Sequence, residues 1–227
     1  MRLLFFVCIL LPFCCLGQSA SKLWLDAAVK GDINKKWDWS FQLTNRFGDD
    51  FLETSFFQTS FRFKVCKFFR ASLDYRGIID KDDFRNYVFS NRLNVNGEFR
   101  IPIKQLTISS RARYQFGFSG LNGGNYDSEF DQAVRIKPEL SYNIKDFFFQ
   151  PSVSVDLFFD PSIWDSNPFV RYRLYAGGDI NLKGPHEIGL GYIFDQQVNV
   201  APLKRKHVAS LSYSYNFGKI KKKKKKD

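Results

Sequence analysis

Cysteine nearly vanishes from this chain after its first twenty residues. Cys8, Cys14 and Cys15 fall in that opening segment and Cys66 stands alone in the body, so the body can form no internal disulfide. Histidine is as scarce: there are two, His186 and His207, far apart and without the closely spaced Cys/His set that zinc requires. Past the opening segment no run approaches the roughly 18 consecutive apolar residues of a membrane-spanning helix. Yet aromatics make up 18% of the residues and phenylalanine alone contributes 26. The hydrophobicity is abundant but dispersed, and it needs an apolar destination. The formal charge of +11 is uneven. Arg2 carries one unit, and residues 219–227 hold seven lysines and one aspartate, or +6, which leaves +4 for the body. A nearly balanced body excludes the reading of a basic nucleic-acid-binding domain.

The opening segment, MRLLFFVCILLPFCCLGQSA, has one basic residue, an apolar run from Leu3 to Leu16, then small and polar residues. That is the layout of a secretory signal peptide, removed on export through a Sec-type route. Cleavage after Gly17 or Ala20 fits. Leu11, Pro12 and Phe13 precede the cysteine pair where a lipid-attachment site needs small residues. The expected organisation is a leader over 1–20, one domain over 21–218, and a lysine-rich tail over 219–227.

Within that domain the dominant pattern is strict alternation, and helical periodicity is missing. In WDWSFQLTNRF, Trp37, Trp39, Phe41 and Leu43 alternate with Asp38, Ser40, Gln42 and Thr44. Phe57, Phe61, Phe63 and Val65 alternate with polar residues in the next stretch, and Leu106 to Phe116, Val153 to Leu157, Val170 to Leu174 and Leu211 to Phe217 repeat the pattern. Strands are expected at 22–32, 36–47, 53–65, 68–80, 84–99, 104–118, 130–144, 147–159, 168–182, 186–197 and 206–217. Most exceed the five or six residues of an ordinary globular strand and reach the ~9–11 that a tilted membrane-crossing strand needs. Tight connections near Lys67, Pro102, Lys145 and Gly184 alternate with longer polar ones at 48–52, 80–84, 119–129, 160–167 and 198–205. Such alternation belongs to an antiparallel up-and-down transmembrane β-barrel of 10 to 12 strands, with turns in the periplasm and loops outside. Eleven segments are visible, but single-chain bacterial barrels have even counts. Ten strands, with 22–32 lying in the lumen, and twelve, with one segment missed, both fit. Pro138 falls in mid-strand and predicts a bulge or local break.

The apolar face is bulky in nearly every strand, too bulky for ten or so strands to enclose. It is therefore expected to face lipid, with Trp37, Trp39, Tyr213, Tyr215 and Phe217 in an aromatic girdle. The opposite face is rich in Arg, Ser, Asn and Gln. Arg62, Arg92, Arg111, Arg113, Arg135, Arg171, Arg173, Glu98, Glu139 and Asp156 are expected to line the lumen, either as ion pairs that hold its shape or as an electropositive passage for anions. No catalytic, cofactor-binding or metal-binding set emerges. A lipid hydrolase is a weaker alternative, since Ser210 lies on the face opposite His207; a soluble periplasmic barrel holding a lipophilic ligand is another. The expected partners are outer-membrane lipids, the barrel-insertion machinery that reads a C-terminal strand ending in Phe217, and anionic surfaces met by Lys221 to Lys226. Nucleic acid is not expected.

The stretches LWLDAAVKGDINKKWDWSFQLTNRF, SFRFKV, LDYRG and NRLNV, spread over 22–217, resemble the small outer-membrane β-barrel proteins of Gram-negative bacteria. More narrowly, the chain looks like a member of an uncharacterised barrel family known only as a domain of unknown function. The resemblance implies a barrel and an outer-membrane location, and it implies no reaction.

Overall fold

The structure, a computed structural model of the chain, describes residues 20–49, 51–81, 86–119, 132–145, 147–182, 184–199 and 204–217. Most of the expected leader and all of the lysine tail lie outside the described residues.

Eleven strands form a closed barrel. They are β1 (Ala20–Asp32), β2 (Trp37–Gly48), β3 (Phe51–Lys64), β4 (Phe69–Lys81), β5 (Tyr87–Ile103), β6 (Leu106–Ser119), β7 (Gln132–Tyr142), β8 (Phe149–Phe159), β9 (Phe169–Asn181), β10 (His186–Gln197) and β11 (Arg205–Asn216). Each pairs antiparallel with its neighbours in sequence, and the circle closes where β1 pairs parallel with β11, from Ala20 opposite Lys206 to Lys30 opposite Asn216. The count lies inside the expected range but is neither even number. The 22–32 segment is neither inside the lumen nor short of a partner; it is a wall strand hydrogen-bonded on both sides. An odd count with one parallel pair places the start of β1 and the end of β11 at opposite ends of the barrel.

One end carries the connections 33–36, 65–68, 104–105, 143–148 and 182–185, two to six residues long. This turn end also receives the end of β11. The other, the loop end, carries 49–50, 82–86, 120–131, 160–168 and 198–204. Four of its five connections have five to twelve residues; the exception, 49–50, is a two-residue turn where a longer loop was expected. β5 runs through Pro102, and its turn falls at Lys104–Gln105. Pro138 does interrupt a ladder: β7 pairs β8 through Ile136–Leu157, skips Lys137 and Pro138, and resumes at Glu139–Ser154 in the same register. A proline cannot donate to the neighbouring strand, and the pairing of Pro138 with Ser110 on β6 is retained.

The wall is inside-out relative to a water-soluble barrel. Among the described residues 38 large hydrophobic side chains are exposed and only six apolar residues are buried, so the apolar face points away from the enclosed space. Trp37, Phe41, Phe61, Leu73, Val95 and Leu211 belong to the outer set; Thr44, Asp74, Asn94, Arg113 and Asp156 belong to the buried inner set. Near the parallel seam the outer face depends on one glycine. A Cβ on Gly31 would meet the Trp39 indole nitrogen at 2.8 Å. The bare backbone lets Trp39 lie across β1 and stack on Phe217 at 6.5 Å, and Phe217 in turn packs edge-on against Tyr215 at 4.8 Å.

Candidate functional site

Alternation carries the charged residues of every strand to one enclosed face, and register then decides which of them meet. Some pairings are complementary. Asp156, Arg173, Asp195 and Lys206 lie directly opposite one another across β8, β9, β10 and β11. Arg173 donates to Asp195 from Nη2 at 2.6 Å and from Nε at 3.0 Å. Arg171 Nε lies 3.6 Å from the same carboxylate. Arg135 forms an ion pair with Asp156. Arg113 reaches across to Asp74 at 2.9 Å, and Asn96 joins them by donating to the same Asp74 oxygen at 2.9 Å. Lys137 pairs with Glu139 at 2.9 Å.

Other pairings are not complementary. Arg76 lies opposite Arg92, Arg111 opposite Lys137, and Arg113 opposite Arg135. Like charges directly opposite across a ladder are destabilising. The lumen guanidiniums of Arg46, Arg76 and Arg111, like those of Arg62 and Arg70, have no carboxylate within ion-pair distance among the described residues. Arg76 donates instead to the Gln58 amide oxygen at 2.6 and 3.0 Å, and the Nε atoms of Arg46 and Arg111 are buried with no hydrogen-bond acceptor.

Aromatic faces replace part of the missing negative charge. Trp24, Phe56 and Phe158 point inward, and the arginines sit over them: Arg46 at 4.2 Å from the Trp24 ring and 5.0 Å from Phe56, Arg76 at 4.1 Å from Phe56. Arg173 bridges Trp24 at 4.9 Å and Phe158 at 5.1 Å, and Arg135 lies 4.2 Å from Phe158. A ring quadrupole attracts a cation by about 0.5–2 kcal/mol, so each contact steadies a guanidinium without neutralising it.

Among the described residues, two cavities lie within the lumen. The one toward the loop end, of ≈ 280 Å³, includes Trp24, Arg46, Arg76, Arg135, Arg173 and Tyr175 in its lining. The one toward the turn end, of ≈ 190 Å³, includes Arg62, Arg70, Asp74 and Glu98. Gln42, Gln58, Arg111 and Arg113 line both, so these four side chains form the partition between them. On the loop-end side Tyr175 lies flat against the wall because Gly191 beneath it has no side chain; a Cβ there would stand 2.8 Å from the ring carbon Cζ. The chamber's linings include seven cations, Arg46, Arg76, Arg111, Arg113, Arg135, Lys137 and Arg173, against two carboxylates, Asp26 and Asp156. An anion entering it would meet fixed guanidinium donors in a setting poor in competing negative charge.

Of the residues expected in the lumen, Arg62 and Glu98 line the turn-end cavity, Arg111 and Arg113 line both, and Arg135, Arg173 and Asp156 line the loop-end one. Arg92 faces inward opposite Arg76, Arg171 lies 5.8 Å from the Phe158 ring, and Glu139 is tied to Lys137. Trp37, Trp39, Tyr213, Tyr215 and Phe217 gather at the turn end of the outer face, Trp37 against Phe63 at 4.8 Å. Trp24, Phe56, Phe158 and Asp195 are the site residues that pattern reading missed. Parity contained the signal: in SFF and LFF the first of the two adjacent phenylalanines shares the parity of the polar face.

His207 is on the outer face and hydrogen-bonds Tyr192, while Ser210 lines the lumen; they lie on opposite sides of the wall. At the other end His186 Nδ1 and the Tyr213 hydroxyl are 2.8 Å apart. Among the described residues no group of three or more His, Cys, Asp and Glu side chains is placed to hold a metal ion.

No curated protein matches the chain. A family model described as a protein of unknown function (DUF2490) matches residues 21–206, from the second residue of β1 to the second of β11. With its all-β barrel over that span, the chain belongs to the DUF2490 family of proteins of unknown function.

Proposed function

We propose that this protein is a bacterial outer-membrane β-barrel whose lumen is a narrow, anion-preferring passage for small solutes. The membrane part of the reading is supported by the outer face: 38 exposed large hydrophobic side chains among the described residues, on nearly every strand, are unlike the scattered apolar residues of a soluble monomer's surface, and they suit a lipid-facing wall with an aromatic girdle. The passage part is carried by one observation, the guanidiniums of Arg46, Arg76 and Arg111, which face the lumen with no carboxylate in ion-pair distance among the described residues. A lumen meant only to hold its own shape would pair them with carboxylates, as it does Arg113, Arg135 and Lys137. Rings of Arg and Lys are how anion pores select. The partition makes the passage selective by size, since a solute must pass Gln42, Gln58, Arg111 and Arg113 to move between the chambers. The role is non-catalytic.

Conductance of the purified protein in planar bilayers under a salt gradient tests this. Discrete steps with anion preference are expected. Reversing charge at Arg46 and Arg111 should move the reversal potential toward cation preference. An inserted barrel that stays silent, or whose selectivity ignores both substitutions, would make these arginines packing elements and sink the passage.

A further inference from the structure

In sequence, the connections at the two ends of the barrel carry opposite charge. Every connection at the turn end contains a lysine: Lys35 and Lys36, Lys67, Lys104, Lys145 and, in the last, Lys183. Against these stands one acidic residue, Asp146. The five connections at the loop end contain nine acidic residues and two basic ones. Lys35, Lys36, Lys67, Lys104 and Lys145 are all exposed, and none has an ion-pair partner among the described residues. Lys104 occupies a backbone position of φ 52°, where glycine or asparagine is the less strained choice. Turn geometry therefore does not call for lysine there.

The depth of this rim points to its partner. Directly beside it lies the outward aromatic band, with Trp37, Tyr142, Phe147, Phe148, Tyr213 and Phe217 exposed. Aromatic girdles mark the boundary between hydrocarbon and headgroups. Lysines one step beyond it stand at the height of the lipid phosphates, and Lys67 already bends back over the Phe68 ring at 5.3 Å. β11 ends at this same end, and in sequence Lys221 to Lys226 follow it.

We infer that the turn-end rim is a binding surface for anionic phospholipid headgroups in the leaflet it faces. This rests on the membrane reading and is independent of any passage through the lumen. The turn end thus seats in a leaflet of anionic phospholipid, and Asp49, Asp160 and Asp165 at the loop end oppose the reverse orientation.

The test is quenching of the rim tryptophans by brominated phosphatidylglycerol against brominated phosphatidylcholine, with the full chain reconstituted in mixed vesicles. Folding of each variant is checked by heat-modifiable gel mobility. The wild type should prefer phosphatidylglycerol by about fivefold or more, the value of one lysine–headgroup contact, and lose most of that preference in high salt. The combined substitutions Lys35→Gln, Lys36→Gln, Lys67→Gln, Lys104→Gln and Lys145→Gln should bring the ratio toward one in a barrel that still folds. Removal of 219–227 should leave most of the preference in place. Equal quenching by both lipids in the wild type overturns the inference, as does a preference that survives the five substitutions or vanishes with the tail alone. Capture of a soluble polyanion without lipid preference would overturn it in favour of a periplasmic polymer. Failure to enter vesicles of either composition removes the membrane reading itself.

Discussion

On β4 and β5 the outer and inner faces are one residue apart. Outside, Leu73 lies opposite Val95, and both are more than half exposed, at 53% and 58%. Inside, Asp74 lies opposite Asn94 and is engaged by Asn96 and Arg113, with Asp74, Asn94 and Arg113 all at 6% exposure or less. The same backbone geometry supports both. What differs is the neighbourhood each side chain requires. In the proposed membrane the outer face meets fluid lipid, which fills whatever shape the side chains leave. The inner face meets fixed partners, so each polar atom there depends on one or two particular residues. Substitutions should therefore act through identity inside and through polarity or bulk outside.

The largest expected effect is inside. Replacing Asp74 with Ala leaves the Arg113 guanidinium buried and uncompensated, a loss of about 3–5 kcal/mol. Urea unfolding in detergent or vesicles should show it as a shift to lower denaturant. Replacing both members, Asp74→Leu with Arg113→Met, should recover most of that loss, because an apolar pair of similar volume often equals a buried ion pair. A double variant no better than the single one would show that Asn96 and the rest of the network, rather than the charge pair, carry the stability.

Next is polarity outside. Val95→Arg places a charge on the middle of the lipid-facing wall and should cost about 2–4 kcal/mol, against ~0–1 for the same change near an interface, such as Ile103→Arg at the end of β5. Equal and small costs at both positions would mean that the outer face is not in lipid. The smallest effect is shape outside. Trp39→Ala uncovers Gly31 and removes the stack on Phe217, and about 0.5–1.5 kcal/mol should be lost. The same unfolding series measures it, and a loss as large as that of Asp74→Ala would show that the seam is a specific contact rather than an adaptable surface.

Much of the architecture was legible. A period of two sends successive side chains to opposite faces, so Trp37, Phe41 and Leu43 share one side and Ser40, Gln42 and Thr44 the other whatever the strands do next. The break at Pro138 was legible for the same local reason, a missing donor. The arginine–aromatic contacts were only half visible. Parity assigns Trp24, Phe56 and Phe158 to the inner face, but a phenylalanine among phenylalanines reads as lipid-facing unless its neighbour is counted. That Arg76 lies opposite Arg92 depends on the register of β4 against β5, which no local pattern specifies. The 49–50 turn was misjudged as a longer loop because polar residues continue into the strand beside it, where Glu53 is held by Lys22.

By itself the sequence determined which residues share a face and that the wall is all-β, because alternation is a property of each strand alone; the outward direction of the apolar face was an expectation from its bulk that the closed barrel decided. Only the tertiary structure decided that eleven strands close the circle, that β1 meets β11 in parallel, and which cations find carboxylates. Closure and register are set between segments distant along the chain, and a shift of one residue would exchange every inner side chain for an outer one. The pairing energies that forbid such a shift arise between strands, so no strand carries them alone.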